Sequence, residues 1–479
     1  MSNYILTLPL KTEKFQEDIL NKKFEECRKI YNFCINELYK RYNHIRESKE
    51  YQRVIKLPKG KDRNKRFNEL NKQYSLTEYS LHNFVKPMAK YFNIDAMTGQ
   101  KLATRAFDAF QKYMFHTASR VNFIKYNELY SIEGKSNKQG IRFRDNQILF
   151  NKMVIPIIIK NNDSYAQIAL QDKIKYCRIV KKEIKGKIKW YVQLILDGVP
   201  PTKLTKQGEL KGQIGEGKVG IDIGTQTIAY SSEYEVKLKE LAPNVNNIEH
   251  AKKLLQRKMD RSKRATNPNK YNENGTINIY NKDKWIYSNH YIKIRHELKE
   301  LQRKQSEIRK QDHNILANQL LNLGNEFYVE TMNYKGLQKR SKNTTINEKT
   351  GKYNKKKRFG KSLANKSPSM FLTILDNKLK WNNTELKKID TYSIKASQYN
   401  HFTGECIKKE LSERWNNFGK FRIQRDLYSS FLIMNIKSNL KEIDRELCFK
   451  EFDNFKRLHD EEITRIQNGH DKLISSMGI

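Results

Sequence analysis

The sequence predicts an α/β protein of several domains, on three observations. The 479 residues suffice for about two to four domains at roughly 100–200 residues each. Stretches whose apolar residues recur every second position alternate with stretches where they recur every three to five. At 37% hydrophobic residues the chain can build packed cores, which argues against wholesale disorder.

Charge and cysteine content narrow the function. The net charge is +40, from 93 Lys and Arg against 53 Asp and Glu. Such an excess repels itself unless a polyanion neutralises it, and nucleic acid is the obvious polyanion. The five cysteines, Cys27, Cys34, Cys177, Cys406 and Cys448, contain no Cys-x-x-Cys pair. That argues against a disulfide framework and against a cysteine zinc site. Nothing resembles a signal peptide, and no apolar run reaches the ~18 residues of a membrane span. The expectation is a cytoplasmic protein with no membrane partner.

Tyr4–Leu10 reads as a strand. From Thr12 the pattern turns helical, with Phe15, Ile19, Phe24, Cys27, Tyr31, Cys34 and Leu38 on one stripe. Lys56–Arg66, with Pro58 and Gly60, reads as a basic loop. Thr77–Phe92 and Ala96–Ile124 read as helices, the second with a core stripe through Phe107, Phe110, Tyr113, Met114 and Phe115. From Gly140 the period changes to two. Ile141–Phe143 and Ile148–Phe150 are short strands, and Ile174–Ile184 and Lys187–Leu196 form a hairpin about Lys185-Gly186. Pro200-Pro201 breaks the chain, and Lys203–Gly217 reads as a linker. The expected layout is a β-rich module, 1–10 and 125–212, carrying a helical insert, 11–124.

The next stretch, Lys218-Val-Gly-Ile-Asp-Ile-Gly-Thr-Gln-Thr-Ile-Ala-Tyr230, predicts a strand to Ile223, a turn, and a second strand from Thr227. Asp222 stands among Val219, Ile221 and Ile223, where an unpaired charge is costly and a metal ion is a fitting partner. Lys252–Arg264 follows, with seven basic residues and one acid. A long helix, Lys284–Leu323, carries Ile294, Leu298, Leu301, Ile308 and Ile315 on one face, with Gly324 as its C-cap. Asn325–Glu330 is an apolar strand ending in an acid. Lys335–Lys366 then holds twelve basic residues and one acid. A helix spans Phe371–Leu379. Arg425–Met434 is another, with Asp426 at its start, where the helix dipole favours a carboxylate. The tail from Leu440 to Ile474 is amphipathic helix.

Three acids stand out: Asp222, Glu330 and Asp426, separated by 108 and 96 residues (330 − 222 and 426 − 330). Metal-dependent phosphodiester cleavage needs carboxylates converging on cations, and hard oxygen ligands select Mg²⁺ or Mn²⁺.

Val-Gly-Ile-Asp222-Ile-Gly, Phe-Tyr-Val-Glu330-Thr-Met-Asn-Tyr-Lys-Gly and Gln-Arg-Asp426-Leu resemble the three RuvC motifs of the TnpB family. These are transposon-encoded, OrfB-type proteins related to type V CRISPR effectors. Gln256–Arg264 and Arg358-Phe-Gly-Lys361-Ser resemble the family's basic segments. The resemblance is strong over 218–435 and weaker before it. It implies a ribonuclease-H-like (RuvC) nuclease domain at 213–435, with a β-rich wedge and helical recognition insert before it and a helical tail, 436–479, after it. The implied activity is RNA-guided endonucleolytic cleavage of DNA, with Asp222, Glu330 and Asp426 as catalytic Mg²⁺ ligands. The implied partners are a guide non-coding RNA, bound by one protein chain, and double-stranded target DNA with a short flanking motif. Base pairing would supply most of the sequence specificity. Arg257, Lys258, Arg261, Lys263, Arg264, Lys335, Lys339, Arg340, Arg358 and Lys361 are the expected nucleic-acid contacts. The sequence departs from the family before the third acid. Where the family carries two cysteine pairs for zinc, 391–425 offers only His401 and Cys406. The expectation is a zinc-free remnant held by Trp415, Phe418 and Phe421. Gln424 also replaces a frequent Asp.

Three alternatives compete with this family. Gly-Ile-Asp222-Ile-Gly-Thr225 also looks like the first phosphate motif of actin- and sugar-kinase-class ATPases. That class needs further glycine-rich loops, and this chain contains no Gly-Gly pair. An RNA-guided protein that binds DNA without cutting it would be signalled by loss of one of the three acids, and none is lost. A DNA-strand transferase using tyrosine or serine would need a nucleophile in its own basic cluster, and no tyrosine stands in such a motif.

Overall fold

A computed structural model describes the chain except residues 1, 205–206, 211, 349–350, 352, 355, 357–358, 411 and 470–473. The chain divides into two units, Met1–Pro201 and Thr202–Ile479. The first contains β1 (Asn3–Pro9), α1 (Lys14–Glu47), α2 (Lys49–Ile55), α3 (Lys61–Gln73), α4 (Glu78–Tyr91), α5 (Ala96–Met114) and β2 (Ser131–Glu133). It continues with β3 (Arg142–Arg144), β4 (Gln147–Phe150), β5 (Met153–Pro156), α6 (Ser164–Ala169), β6 (Ile174–Ile184) and β7 (Lys187–Asp197). An antiparallel sheet runs β1-β7-β6-β2, and a smaller one runs β3-β4-β5. Alternation fixes which face is buried: Tyr4, Leu6 and Leu8 of β1 and Trp190, Val192 and Leu194 of β7 all point into the core.

Several elements differ from expectation. Phe15 is 57% exposed; the buried stripe of α1 starts at Gln16 and Leu20. Lys61–Arg66 is the first half of α3 rather than loop, with Gly60 as N-cap. Only Leu70 of that helix is buried, so periodicity gave no signal. Helix α5 stops at Met114, ten residues short of Ile124 (124 − 114), because His116 takes φ +56° and Thr117 Oγ1 bonds back to the Lys112 carbonyl at 2.9 Å. Phe110 is fully buried against Tyr39, Tyr42 and Tyr113, whereas Phe115 is 70% exposed.

The second unit contains β8 (Lys218–Ile223), β9 (Thr227–Ser231), β10 (Val236–Glu240), α7 (Asn246–Thr266), α8 (Asn289–Leu321), β11 (Glu326–Glu330), α9 (Tyr334–Leu337) and α10 (Gly360–Lys366). It ends with α11 (Pro368–Trp381), β12 (Leu386–Ile389), α12 (Thr391–Ile394), β13 (Trp415–Asn417), β14 (Arg422–Gln424), α13 (Arg425–Met434) and α14 (Arg445–Asn468). Its central sheet runs β10-β9-β8-β11-β12. The first three strands are antiparallel, and β8, β11 and β12 are parallel.

Helices cover both faces of this sheet. Val219, Ile221, Ile223, Phe327 and Val329 pack with Leu316 and Leu320 of α8 and Phe371 and Leu375 of α11. Ala229, Leu238 and Tyr328 pack on the other face with Leu427, Phe431, Phe452 and Phe455 of α13 and α14. At the sheet edge the buried Glu462 of α14 accepts from the Leu238 amide at 3.0 Å and pairs with Lys237 at 3.1 Å. This satisfies an edge amide that would otherwise be exposed for pairing. The 202–217 stretch belongs to this unit: Ile214 joins its core, and the Gly215 amide donates to the Leu321 carbonyl at 2.8 Å.

Helix α8 buries Ile294 and Leu298 but not the expected Ile315, which is 49% exposed. Toward its C-terminus the buried face moves to His313, Leu316, Ala317 and Leu320. A straight α-helix drifts against a fixed repeat, and the sheet decides which face it covers. Gly324 is not the cap. Asn322 is, and Gly324 instead lets the chain cross the backbone of Gly217. No helix among the described residues is long and apolar enough to cross a membrane.

Candidate active site

Asp222 is the penultimate residue of β8. Alternation sends Val219, Ile221 and Ile223 to the α8 and α11 side, and Gly220 and Asp222 to the side of α13. Glu330 ends the adjacent parallel strand, one position past the Val329–Ile221 pair. It shares the face of Tyr328, which packs with α13. Asp426 is in the first turn of α13. All three acids thus come to the carboxyl end of the parallel strands, on one face of the sheet, where open α/β sheets form clefts.

What seats α13 there is the absence of a side chain. A Cβ on Gly220 would overlap the Ser430 carbonyl and the Met434 amide, and would stand 2.8 Å from Met434 Cα. The helix backbone therefore lies directly on β8. Ser430 Oγ, 2.7 Å from Ser231 Oγ of β9, locks the contact. Gln424 occupies the N-cap: its Oε1 accepts from the Leu427 amide at 2.9 Å and its Nε2 donates to the Met477 carbonyl at 3.0 Å.

The electrostatics register the convergence. Burial, then the charges of Asp426 and Glu330, push the Asp222 carboxyl well above the usual range, with Arg425 and the Ser429 hydroxyl opposing. Burial pushes Glu330 up to about 7 against a backbone hydrogen bond from Ala396, and its Oε1 is buried without a partner. Asp426 has two cations nearby, Arg414 Nη1 at 3.6 Å and Arg425 Nε at 3.5 Å. Arg425 is 8% exposed and is fixed by the carbonyls of Glu410 and Glu413 at 3.1 and 2.9 Å. Among the described residues, no group of three or more His, Cys, Asp and Glu side chains is arranged to hold a metal ion.

Sequence reasoning gave no role to Arg414, Arg425 or Tyr334. Arg425 adjoins Asp426 inside the Gln-Arg-Asp-Leu motif. Tyr334 lies four residues past Glu330; its buried hydroxyl lacks a partner, and burial and then the Asp222 charge push its phenol up. Arg414 carries no local signal, because only the β13–β14 hairpin brings it to Asp426.

The basic residues fall into groups. Arg257, Lys258 and Arg261 lie exposed on α7, which buries no residue. Lys263 and Arg264 are occupied: Lys263 Nζ stands 3.7 Å over Trp285, and Arg264 covers Tyr271 at 4.6 Å, pairs with Asp260 at 2.9 Å and donates to the Gly275 carbonyl at 2.9 Å. Lys335, Lys339 and Arg340 are exposed in and after α9. Lys361, on α10, is 3.5 Å from Glu249 of α7 with a 61% exposed side chain. Arg358 lies outside the described residues.

His401 is fully buried. Its Nδ1 is 2.6 Å from Tyr428 Oη, and Phe402, Phe431, Phe449 and Phe452 surround its ring. Cys406 is exposed. Trp415, Phe418 and Phe421 pack against the same aromatic core.

No family model matches the chain, and no curated protein does. Among solved structures, it is similar to one described as the cryo-EM structure of the Cas12f1-sgRNA-target DNA complex. The identity is 11% and the TM-score 0.41, covering 90% of this chain and 98% of that one. A CRISPR-Cas12f ternary complex is similar at 14% identity and TM-score 0.28, covering 89% of this chain and 82% of that one.

Proposed function

We propose that this chain is an RNA-guided DNA endonuclease whose ribonuclease-H-like second unit hydrolyses phosphodiesters with Asp222, Glu330 and Asp426. The observation that carries the reading is the convergence of three acids, 108 and 96 residues apart (330 − 222 and 426 − 330), on one end of the sheet. The sheet order, with three antiparallel strands followed by two parallel ones, supports the fold assignment.

The donor set fits a hard divalent cation. Asp222 and Glu330 are held toward protonation by burial, and the orphaned Glu330 Oε1 is an open ligand position. Mg²⁺ commonly takes one or two carboxylates and completes its shell with water and substrate phosphate, so a closed protein cage is not required. Mg²⁺ or Mn²⁺, when bound, would supply an activated water and charge stabilisation at the leaving oxygen. Asp222 would hold it from β8, Glu330 from the end of β11 and Asp426 from the first turn of α13. Arg414 and Arg425 hold positive charge beside Asp426. Arg257, Lys258 and Arg261 offer an exposed basic row for guide RNA or target DNA. The first unit, a β-framework with a helical insert, is the part assigned to guide holding and flanking-motif reading. The 391–425 remnant is held by aromatic packing and needs no zinc.

The test is cleavage of a matched plasmid by the protein with its co-purified RNA, in Mg²⁺ and in EDTA. Asp222→Ala is expected to lower cleavage by roughly a thousandfold or more, the loss of ~4 kcal/mol of charge stabilisation. Guide-RNA binding is expected to persist, and the same preparation is expected to carry no zinc. Cleavage surviving both the substitution and EDTA would sink the mechanism.

A second reading, a protein that binds DNA under RNA guidance and does not cut, draws on the arginine pair that already neutralises Asp426. Wild-type binding of a correctly matched and flanked target without Mg²⁺-dependent cleavage would select it.

A further inference from the structure

Between α7 and α8, residues 267–288 form an excursion built inside out. Its interior is polar: Asn267 and Lys270 are only 6% and 5% exposed. Asn267 Nδ2 donates to the Lys263 and Ile286 carbonyls at 2.9 and 2.8 Å, and its Oδ1 accepts from the Ile286 amide at 2.8 Å. The Lys270 ammonium donates to the Asn281 carbonyl at 3.0 Å and to that of Asp283. Large apolar and aromatic side chains face outward from it: Ile279, Tyr280 and Ile286 are 77%, 86% and 64% exposed. Tyr287, also exposed, stacks on Tyr291 with ring centroids 4.6 Å apart and planes 21° from parallel.

Burying an ammonium and an amide costs free energy unless each is hydrogen-bonded. Here both are, and the result is a loop held in one shape with its rings turned outward. The surroundings are strongly basic. Residues 263–295 contain seven Lys and Arg against two Asp and Glu; Lys263, Arg264 and Lys270 are engaged within the excursion, and Lys282, Lys284, Lys293 and Arg295 are exposed. The core of a protein–protein interface is depleted of charge, whereas rings set among cations suit a partner both aromatic and anionic.

We propose that Tyr280 and the Tyr287–Tyr291 pair are a stacking platform for unpaired bases of a single-stranded nucleic acid, whose phosphates meet the surrounding lysines and arginines. The platform uses none of the three acids and goes beyond the cleavage reading. Stacking on such rings tolerates any sequence, because every base has a π-face.

The experiment uses the full chain in EDTA and fluorescence anisotropy with two labelled probes of equal length. One is oligodeoxythymidine; the other has the same phosphates and no bases. Wild type is expected to prefer the base-bearing probe. Tyr280→Ala with Tyr287→Ala is expected to weaken that probe roughly tenfold or more, while leaving the abasic probe and the salt slope unchanged. Phenylalanine at both positions is expected to retain affinity, since the ring face remains. Equal losses on both probes would overturn the proposal and reduce the rings to loop supports. No loss on either would also overturn it, and self-association dependent on Tyr280 in sedimentation would assign the surface to a second copy. If the cleavage reading fails, Mg²⁺-dependent cutting is missing while the probe preference stands.

Discussion

Glu330 has one carboxylate oxygen buried and unpartnered, and burial holds its pKa at about 7. An unfolded glutamate releases its proton near pH 4.3. Between those values the folded chain keeps a proton that the unfolded chain has lost, so stability falls as pH rises through that window. His313 and His401, pushed down to about 4 by burial, act in the opposite sense: they lend stability that is lost as pH falls from about 6.5 toward 4. The clean observable is therefore a difference. Between pH 5 and 7.5, without divalent metal, wild type is expected to lose on the order of 2 kcal/mol relative to Glu330→Gln in urea denaturation. Mg²⁺ is expected to restore wild type above pH 7 and to do little for the variant. Parallel pH curves would show that Glu330 titrates normally. The sequence singled out this residue as an acid ending an apolar strand; its burial and its hydrogen bond from the Ala396 backbone come from segments far along the chain.

The acid cluster exists only because α13 lies flat on β8, and Gly220 permits that contact. Gly220→Ala puts a methyl group into the Ser430 and Met434 backbone. The helix cannot yield locally, since Ser430 bonds Ser231 and its inner face is buried in the aromatic core. The substitution is expected to cost about 3 kcal/mol, read from the urea midpoint, and to displace Asp426, which on the proposed function would abolish the Mg²⁺-dependent cleavage. An unchanged midpoint would mean that the helix is not seated as described. Periodicity located β8, β9, β11, α11 and α13 within a few residues. It missed α3, which buries little, and β10 and β12, which are short and carry two lysines each. The segment before α13 follows the same logic as Gly220: Trp415, Phe418 and Phe421 pack on the aromatic core around His401, a contact that sequence shows only as a list of rings.

Over the whole molecule the +40 charge repels itself and attracts polyanions. If the exposed row on α7 is part of that surface, replacing Arg257, Lys258 and Arg261 with alanine should weaken nucleic-acid binding at every sequence. The plot of log affinity against log salt should become shallower by about 2 to 3. An unchanged slope would make the row an ordinary solvated face. Lys263 and Arg264 are left out of the test because they brace Trp285 and Tyr271, and losing them would disturb the excursion as well.

By itself the sequence determined the chemistry on offer. A large positive charge, an acid inside an apolar strand, an acid at a strand end and an acid at a helix start are local facts, set by composition and by periods of two and 3.6. Only the tertiary structure decided which groups meet. Arg414 reaches Asp426 through a two-stranded hairpin, Glu330 reaches Asp222 through parallel pairing across more than a hundred residues, and Tyr280 stands exposed on a loop whose Lys270 and Asn267 are buried. The physical reason is range. Hydrophobic period and helix capping act over a few residues. A pKa, an orphaned oxygen or an outward ring depends on burial and charge contributed by segments far away in the chain.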